Sequence, residues 1–235
     1  MENNLSIVGD IFNNSANGKT ILTFSQIVSS IKNQTPIVSR DCTLWLEQGM
    51  SEEQVNSLKN LVAEKPIKIH SYFDQWVRCS GKFTHKSKPF NTLIADPIVV
   101  EEAHEFESCL LIDERCAELS DHVTGKHIQF MVLVEAARQM GNAVTEKFFS
   151  NENMIFLAND LDIKFNGFVY PFDVKIIYRV LESKIKMAGN GRMKVIIELS
   201  QMNEIKTSVT INFTILERSF VTSIENSALE KIGAR

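Results

Sequence analysis

The chain has 235 residues, 44% hydrophobic and 23% charged, and carries a formal net charge of −4. This balance suits one main globular domain with an appendage and excludes a disordered or fibrous chain. With basic residues spread along the sequence, nucleic acid is not an expected partner, and no stretch approaches the roughly eighteen uninterrupted apolar residues of a membrane span.

Residues 1–19 are rich in Asn and Ser and are expected to be loosely ordered. They show no basic segment leading into an apolar one, so no secretory signal is visible and a cytoplasmic chain is expected. The tripeptide Gly18-Lys19-Thr20 suggests a phosphate loop, but the position five residues earlier is Asn13 rather than glycine. Leu22, Ile27, Val28 and Ile31 space a short helix over 22–33 that Thr35-Pro36 ends. A strand is expected over 37–46, then a helix that starts at Ser51, with Glu52 and Glu53 in its first turn, and runs to Lys65-Pro66. The segment IKIHSYF alternates as another strand, and His70 and Trp76 read as packing residues.

Residues 1–80 thus form an α/β appendage without visible chemistry. SGKFTHKSKP, at 80–89, combines Ser, Gly, Pro and lysines without apolar periodicity and reads as the linker. Beyond it NTLIADPIVV and HEFESCLLID read as strands. MIFLANDLDIKF, FDVKIIYRVLES, RMKVIIELS and EIKTSVTINFTILE follow a long helix as four more, joined in part by turns at 189–191 and at Met202-Asn203. In the last of them Ile205, Val209, Ile211, Phe213 and Ile215 share one face. Cys42, Cys79, Cys109 and Cys116 match no zinc or redox spacing and read as free thiols; no metal or cofactor is expected.

The most informative stretch is DHVTGKHIQFMVLVEAARQM at 121–140. From Ile128 to Ala137 only Gln129 and Glu135 are polar, so this helix has no broad solvated face and must be wrapped by other structure. A carboxylate there requires a partner, and Arg138 at i+3 and Gln139 at i+4 lie one turn away. Either the pair only tolerates burial, or the trio lines a site, together with the preceding His122, Gly125 and His127. Two strands, a buried helix and four antiparallel strands are the order of a hotdog fold, an α+β architecture in which a curled sheet wraps the helix. Residues 81–220 are assigned to it and 221–235 to a tail. One copy leaves a sheet edge open, so a homodimer is expected.

THKSKPFNTLIADP at 84–97, followed by DHVTGKHIQFMVLVEAARQM, resembles the AfsA-type hotdog proteins of A-factor biosynthesis over about residues 84–216. The resemblance implies transfer of a β-ketoacyl group from acyl carrier protein, or a related acyl-CoA thioester, to dihydroxyacetone phosphate or a similar hydroxyl, toward γ-butyrolactone signals. It further implies that Glu135 and Arg138 are essential. Glu135 is expected to take the proton from the attacking hydroxyl, and Arg138 to hold phosphate or a developing oxyanion. Backbone amides near 126–129 are expected to face the thioester carbonyl. His122 is the third catalytic candidate, and His127, Gln129, Phe130, Gln139 and Gly125 are candidates for substrate contact. Two departures stand out: family members commonly carry two hotdog copies, and the string HIQ is often followed by Gly where this chain has Phe130. Dehydration of a hydroxyacyl thioester, thioester hydrolysis, and acyl binding without catalysis remain alternatives.

Overall fold

The computed structural model describes residues 3–38, 42–120, 125–149, 153–186 and 190–233. The chain opens with a four-stranded parallel sheet in the order β2-β1-β3-β4, made of β1 (Asn3–Val8), β2 (Ile21–Thr23), β3 (Cys42–Leu46) and β4 (Ile67–Ser71). Helices α1 (Phe24–Lys32) and α2 (Glu52–Val62) pack on it through Ile27, Ile31, Val55 and Leu58. Each helix begins in a capping box, Thr23 with Gln26 and Ser51 with Gln54, which satisfies two otherwise orphaned amides.

The expectation of a loose start is corrected. β1 is central in this sheet, paired on both sides, and its Leu5, Ile7 and Val8 are wholly buried. The polar composition hid a strand because Asn4 and Ser6 alternate with buried Leu5 and Ile7, while the flanking Asn-rich turns dominate the count. Val8 and Phe12 continue into the second core.

Hydrogen bonds join the two units at Gln48. Buried Gln48 donates from Nε2 to Leu110 O at 2.7 Å and accepts at Oε1 from Ile112 N at 2.7 Å, while its own N–H reaches Pro171 O at 3.1 Å. Gly49 follows with φ +88°, where a Cβ would meet the Phe12 ring at 2.7 Å.

The second sheet is antiparallel, in the order β5-β6-β8-β9-β10-β7, from β5 (Ile98–Glu101), β6 (Glu105–Cys109), β7 (Met154–Phe165), β8 (Lys175–Ile185), β9 (Gly191–Gln201) and β10 (Glu204–Glu217). It curls around the helix that precedes β7 in the chain, here numbered α5 (Phe130–Val144), and the two together are a hotdog fold. Val132, Leu133, Ala136, Ala137, Met140, Ala143 and Val144 of α5 pack against Ile176, Tyr178, Val195, Ile197, Val209 and Ile211. Two differences from the sequence reading have local causes. Pro97 has no amide to donate, and the first expected strand is ordered as a ladder only from Ile98. A register shift between Ile205 and Thr207 turns Ile205 outward, 44% exposed, before the alternation from Val209 to Ile215 resumes. Met202 and Asn203 both have positive φ, as the two-residue hairpin predicted there requires. Of the other predicted turn, residues 187–189 lie outside the described residues.

Residues 80–89 are not a slack connection. They form α3 (Gly81–Thr84) and a following loop that lie on the outer side of α5, with Thr84 wholly buried. A further short helix, α4 (Ala117–Ser120), precedes α5, and α6 (Arg218–Gly233) follows β10 with only Val221 buried. All four cysteines are free and buried. Among the described residues no helix is long and apolar enough to cross a membrane.

Candidate functional site

The polar residues of α5 fall on the side turned away from the sheet. Arg138 grips Glu135 with two parallel bonds, Nε to Oε2 and Nη2 to Oε1, both 2.7 Å. Gln139 Nε2 donates to the same carboxylate at 2.9 Å and to Asn91 O at 3.0 Å, while its Oε1 accepts from Leu93 N. The third donor comes from the segment expected to be a linker: Lys86 reaches Glu135 at 2.9 Å and Glu118 at 2.6 Å. Burial pushes the Glu135 carboxyl up, but the hydrogen bonds from Arg138, Gln139 and Lys86 outweigh it and hold the group at about 2. The cluster of two carboxylates and two cations is neutral, and 42% of the Arg138 side chain remains exposed.

A second feature lies at the start of α5. His127, Gln129, Phe130, Leu133, Phe165 and Phe168 line a mostly apolar cavity of about 510 Å³. The His127 ring lies 4.7 Å from Phe168, and Phe130 meets Phe165 edge-on at 5.4 Å. Gln129 is the N-cap residue but does not cap with its side chain, which donates instead to Glu118 O. Of the amides expected to face a carbonyl, that of Ile128 is taken by Val169 O at 2.8 Å.

The helix is therefore less wrapped than its sequence suggests: Phe130 is 57% and Met131 52% exposed. Phe130, Val134 and Arg138 fall at i, i+4 and i+8, so one row of the helix surface leads from the aromatic cavity to the guanidinium over roughly 12 Å.

The candidates thus separate into two groups. Glu135, Arg138 and Gln139 form the charged cluster; His127, Gln129 and Phe130 border the cavity. Gly125 belongs to neither. It is buried at φ +69° against the turn that follows β1, where a Cβ would lie 2.5 Å from Asn14 Nδ2. Ser15 also donates to Lys126 O, so the appendage braces the loop that enters α5. His122 lies outside the described residues. Sequence reasoning missed Lys86, whose partner Glu135 is 49 positions away in a segment without periodicity.

A model of the A-factor biosynthesis hotdog domain matches residues 75–217, well over half of the chain. No curated protein sequence matches it. Among solved structures it is similar to the thioesterase HI1161 of Haemophilus influenzae, at 12% identity and a TM-score of 0.42, covering 73% of this chain and 94% of that one. It is similar also to a variant of the thioesterase PA1618 of Pseudomonas aeruginosa, at 10% identity and a TM-score of 0.43, covering 72% and 96%. A third, the conserved protein PA5202 of Pseudomonas aeruginosa, shares 18% identity over 52% of this chain and 87% of that one, at a TM-score of 0.39. Likeness at this level says nothing of activity. The match over residues 75–217, where the six-stranded sheet encloses α5, carries the assignment: this chain belongs to the A-factor biosynthesis hotdog family.

Proposed function

We propose that the chain is an enzyme acting on acyl thioesters, in the following layout. The acyl tail occupies the aromatic cavity beside Phe130 and Phe165, and the thioester lies along the row Phe130, Val134, Arg138 with its carbonyl oxygen at the guanidinium. The observation that carries this reading is Arg138: it is fixed by a bidentate carboxylate yet half open, at the end of an apolar track. A guanidinium held in place in this way stabilises a developing oxyanion without reorganising, the kind of contribution that typically supplies about 3 kcal/mol of transition-state stabilisation.

The finer reading is acyl transfer from a carrier-protein or coenzyme A thioester to a hydroxyl acceptor such as dihydroxyacetone phosphate, with β-ketoacyl groups as donors. Glu135 then has a different part from the one its residue type suggests. A carboxylate at about 2 that already accepts from three side chains is a poor proton acceptor at neutral pH, and its role in this reading is to hold Arg138 and Lys86. Residues 1–80, 81–220 and 221–235 are read as appended unit, hotdog unit and tail. The protein is read as a homodimer through β7, a twelve-residue edge strand that exposes Leu157, Leu161 and Phe165 and, among the described residues, pairs on one side only, with β10.

The experiment is to supply the full chain with β-ketoacyl and 3-hydroxyacyl carrier-protein thioesters, with and without dihydroxyacetone phosphate. An acylated triose supports transfer. An enoyl product, a free acid, or retention of intact thioester would replace it with dehydration, hydrolysis or binding respectively.

A further inference from the structure

Glu135 already accepts from Arg138, Gln139 and Lys86, so a transfer reaction on this surface is better served by another base. Beyond Arg138 the outer side of α5 continues to Asn142 and Glu146, and there it meets His85. His85 Nε2 lies 2.5 Å from Glu146 Oε1, and Asn142 Nδ2 lies 3.4 Å from Nδ1; in the tautomer that donates Nε2–H to the carboxylate, Nδ1 is the nitrogen that carries the lone pair. The imidazole is 52% exposed, whereas Glu146 is 22% exposed. Both border an open groove of about 940 Å³ on the side of α5 opposite its amino terminus.

Two local irregularities bring the pair together. His85 occupies the left-handed position that ends α3, at φ +57°, where glycine is the usual residue; its N–H and that of Lys86 both return to Gly81 O. Glu146 lies in the π-helical turn Thr145–Phe149 that ends α5, which shifts it out of ordinary α register. A left-handed residue and a π turn thus meet at one carboxylate–imidazole contact on the rim of a groove, an arrangement suited to a positioned proton acceptor. The Arg138 guanidinium also donates to Thr84 O at 3.2 Å, so the oxyanion contact and the imidazole hang on adjacent residues of one turn. The charged groups that share the groove with His85 are Lys82, Asp96, Glu146, Lys147 and Arg218, of which Lys147 and Asp96 are paired at 2.5 Å.

We propose that His85 is the catalytic base of the acyl-thioester reaction, that Glu146 is its positioning residue, and that the groove beside them receives the hydroxyl-bearing acceptor. His85 Nδ1 takes the proton of the acceptor hydroxyl as its oxygen forms a bond to the thioester carbonyl carbon, and the carbonyl electron pair moves to the oxygen held by Arg138. The tetrahedral intermediate then collapses, the C–S bond breaks, and the leaving thiolate recovers the proton from the imidazolium. This rests on the acyl-thioester reading above and supplies a base other than Glu135.

The test follows loss of a β-ketoacyl carrier-protein thioester by the full chain, in the presence of dihydroxyacetone phosphate, for wild type, His85→Gly and Glu146→Gln. Glycine suits the left-handed backbone and leaves a hole the size of the ring. The expected result is a fall in kcat of about a hundredfold or more for His85→Gly, with the KM for thioester within about threefold of wild type, and recovery on adding free imidazole. Glu146→Gln is expected to lose roughly tenfold in kcat at unchanged KM and unchanged thermal unfolding. A His85→Gly protein with wild-type kcat, or one whose loss imidazole does not restore, overturns the assignment while leaving the acyl-thioester reading intact. A wild-type protein that consumes no thioester overturns both.

Discussion

Arg138 and Glu135 lie one turn apart on α5 and exchange two parallel hydrogen bonds of 2.7 Å, and the same carboxylate also holds Lys86 from a loop 49 positions earlier. One side chain therefore ties the central helix to the segment that covers it. Glu135→Gln is expected to lower stability by about 1–3 kcal/mol in urea unfolding, because Lys86 and Arg138 lose their shared counter-ion, and to lose most turnover. Arg138→Lys keeps the charge but not the planar fork, and is expected to unfold within about 1 kcal/mol of wild type while kcat falls about a hundredfold. Normal turnover in Arg138→Lys would dissociate the guanidinium from the chemistry.

The Glu135 carboxyl also makes an acid signature. Its folded value of about 2 lies below the ordinary 4.5, so its contribution is complete above the unfolded value and disappears as pH falls from 4.5 toward 2. The wild type is expected to lose about 2–3 kcal/mol across that window relative to Glu135→Gln, read as the difference between their urea midpoints.

Glu47 behaves in the opposite sense. Burial pushes its carboxyl up to about 7, Asp173 adds to the rise, and the bond from Ser6 opposes it. The folded state binds the extra proton between 4.5 and 7, so stability from this group falls as pH rises through that interval. Glu47→Gln is expected to flatten the slope, leaving the variant about 1–3 kcal/mol more stable than wild type at pH 8 relative to pH 5. Parallel pH–stability curves for the two proteins would contradict it.

Gln48 fastens the two units with one amide. Gln48→Leu removes the buried bonds to Leu110 O and from Ile112 N and is expected to cost about 2–4 kcal/mol. Amide exchange should then quicken at Ile112 and Gly49, whose N–H groups cross the junction. Protection unchanged at both amides would show that the junction does not depend on this side chain.

Phe130 is more than half exposed and touches Phe165 across the cavity mouth. Phe130→Ala is expected to change stability by less than about 1 kcal/mol and to shift the preferred acyl chain toward greater length. An unchanged chain-length profile would remove the tail from this cavity.

Leu161 stands near the middle of the unpaired β7 edge, 49% exposed. Leu161→Lys is expected to move the sedimentation of the full chain from dimer to monomer, since a charge on an edge strand opposes its pairing. A monomeric wild type would refute the edge-paired dimer directly.

The element order of the hotdog unit was legible because strand alternation and helical runs are local properties, and so was the Glu135–Arg138 pair, whose i, i+3 spacing is set by helix geometry alone. Ile205 shows the limit within a strand: one bulge reverses its face without any trace in the residue pattern. β1 shows another, since it is paired by β2 and β3 and buried by the helices packed on the sheet, and not by its own composition.

What the amino-acid order determined by itself, then, is that a largely apolar helix carries one carboxylate with a guanidinium and an amide within a turn, inside a run of strands that must enclose it. Only the tertiary structure decided what surrounds that carboxylate. Lys86 arrives from a polar loop and, with Arg138 and Gln139, holds the group well below the usual carboxylate range, while His85, the residue before Lys86, meets Glu146 through a left-handed residue and a π turn. Contacts between segments 49 to 61 positions apart depend on how the chain returns on itself, and no local period records that return.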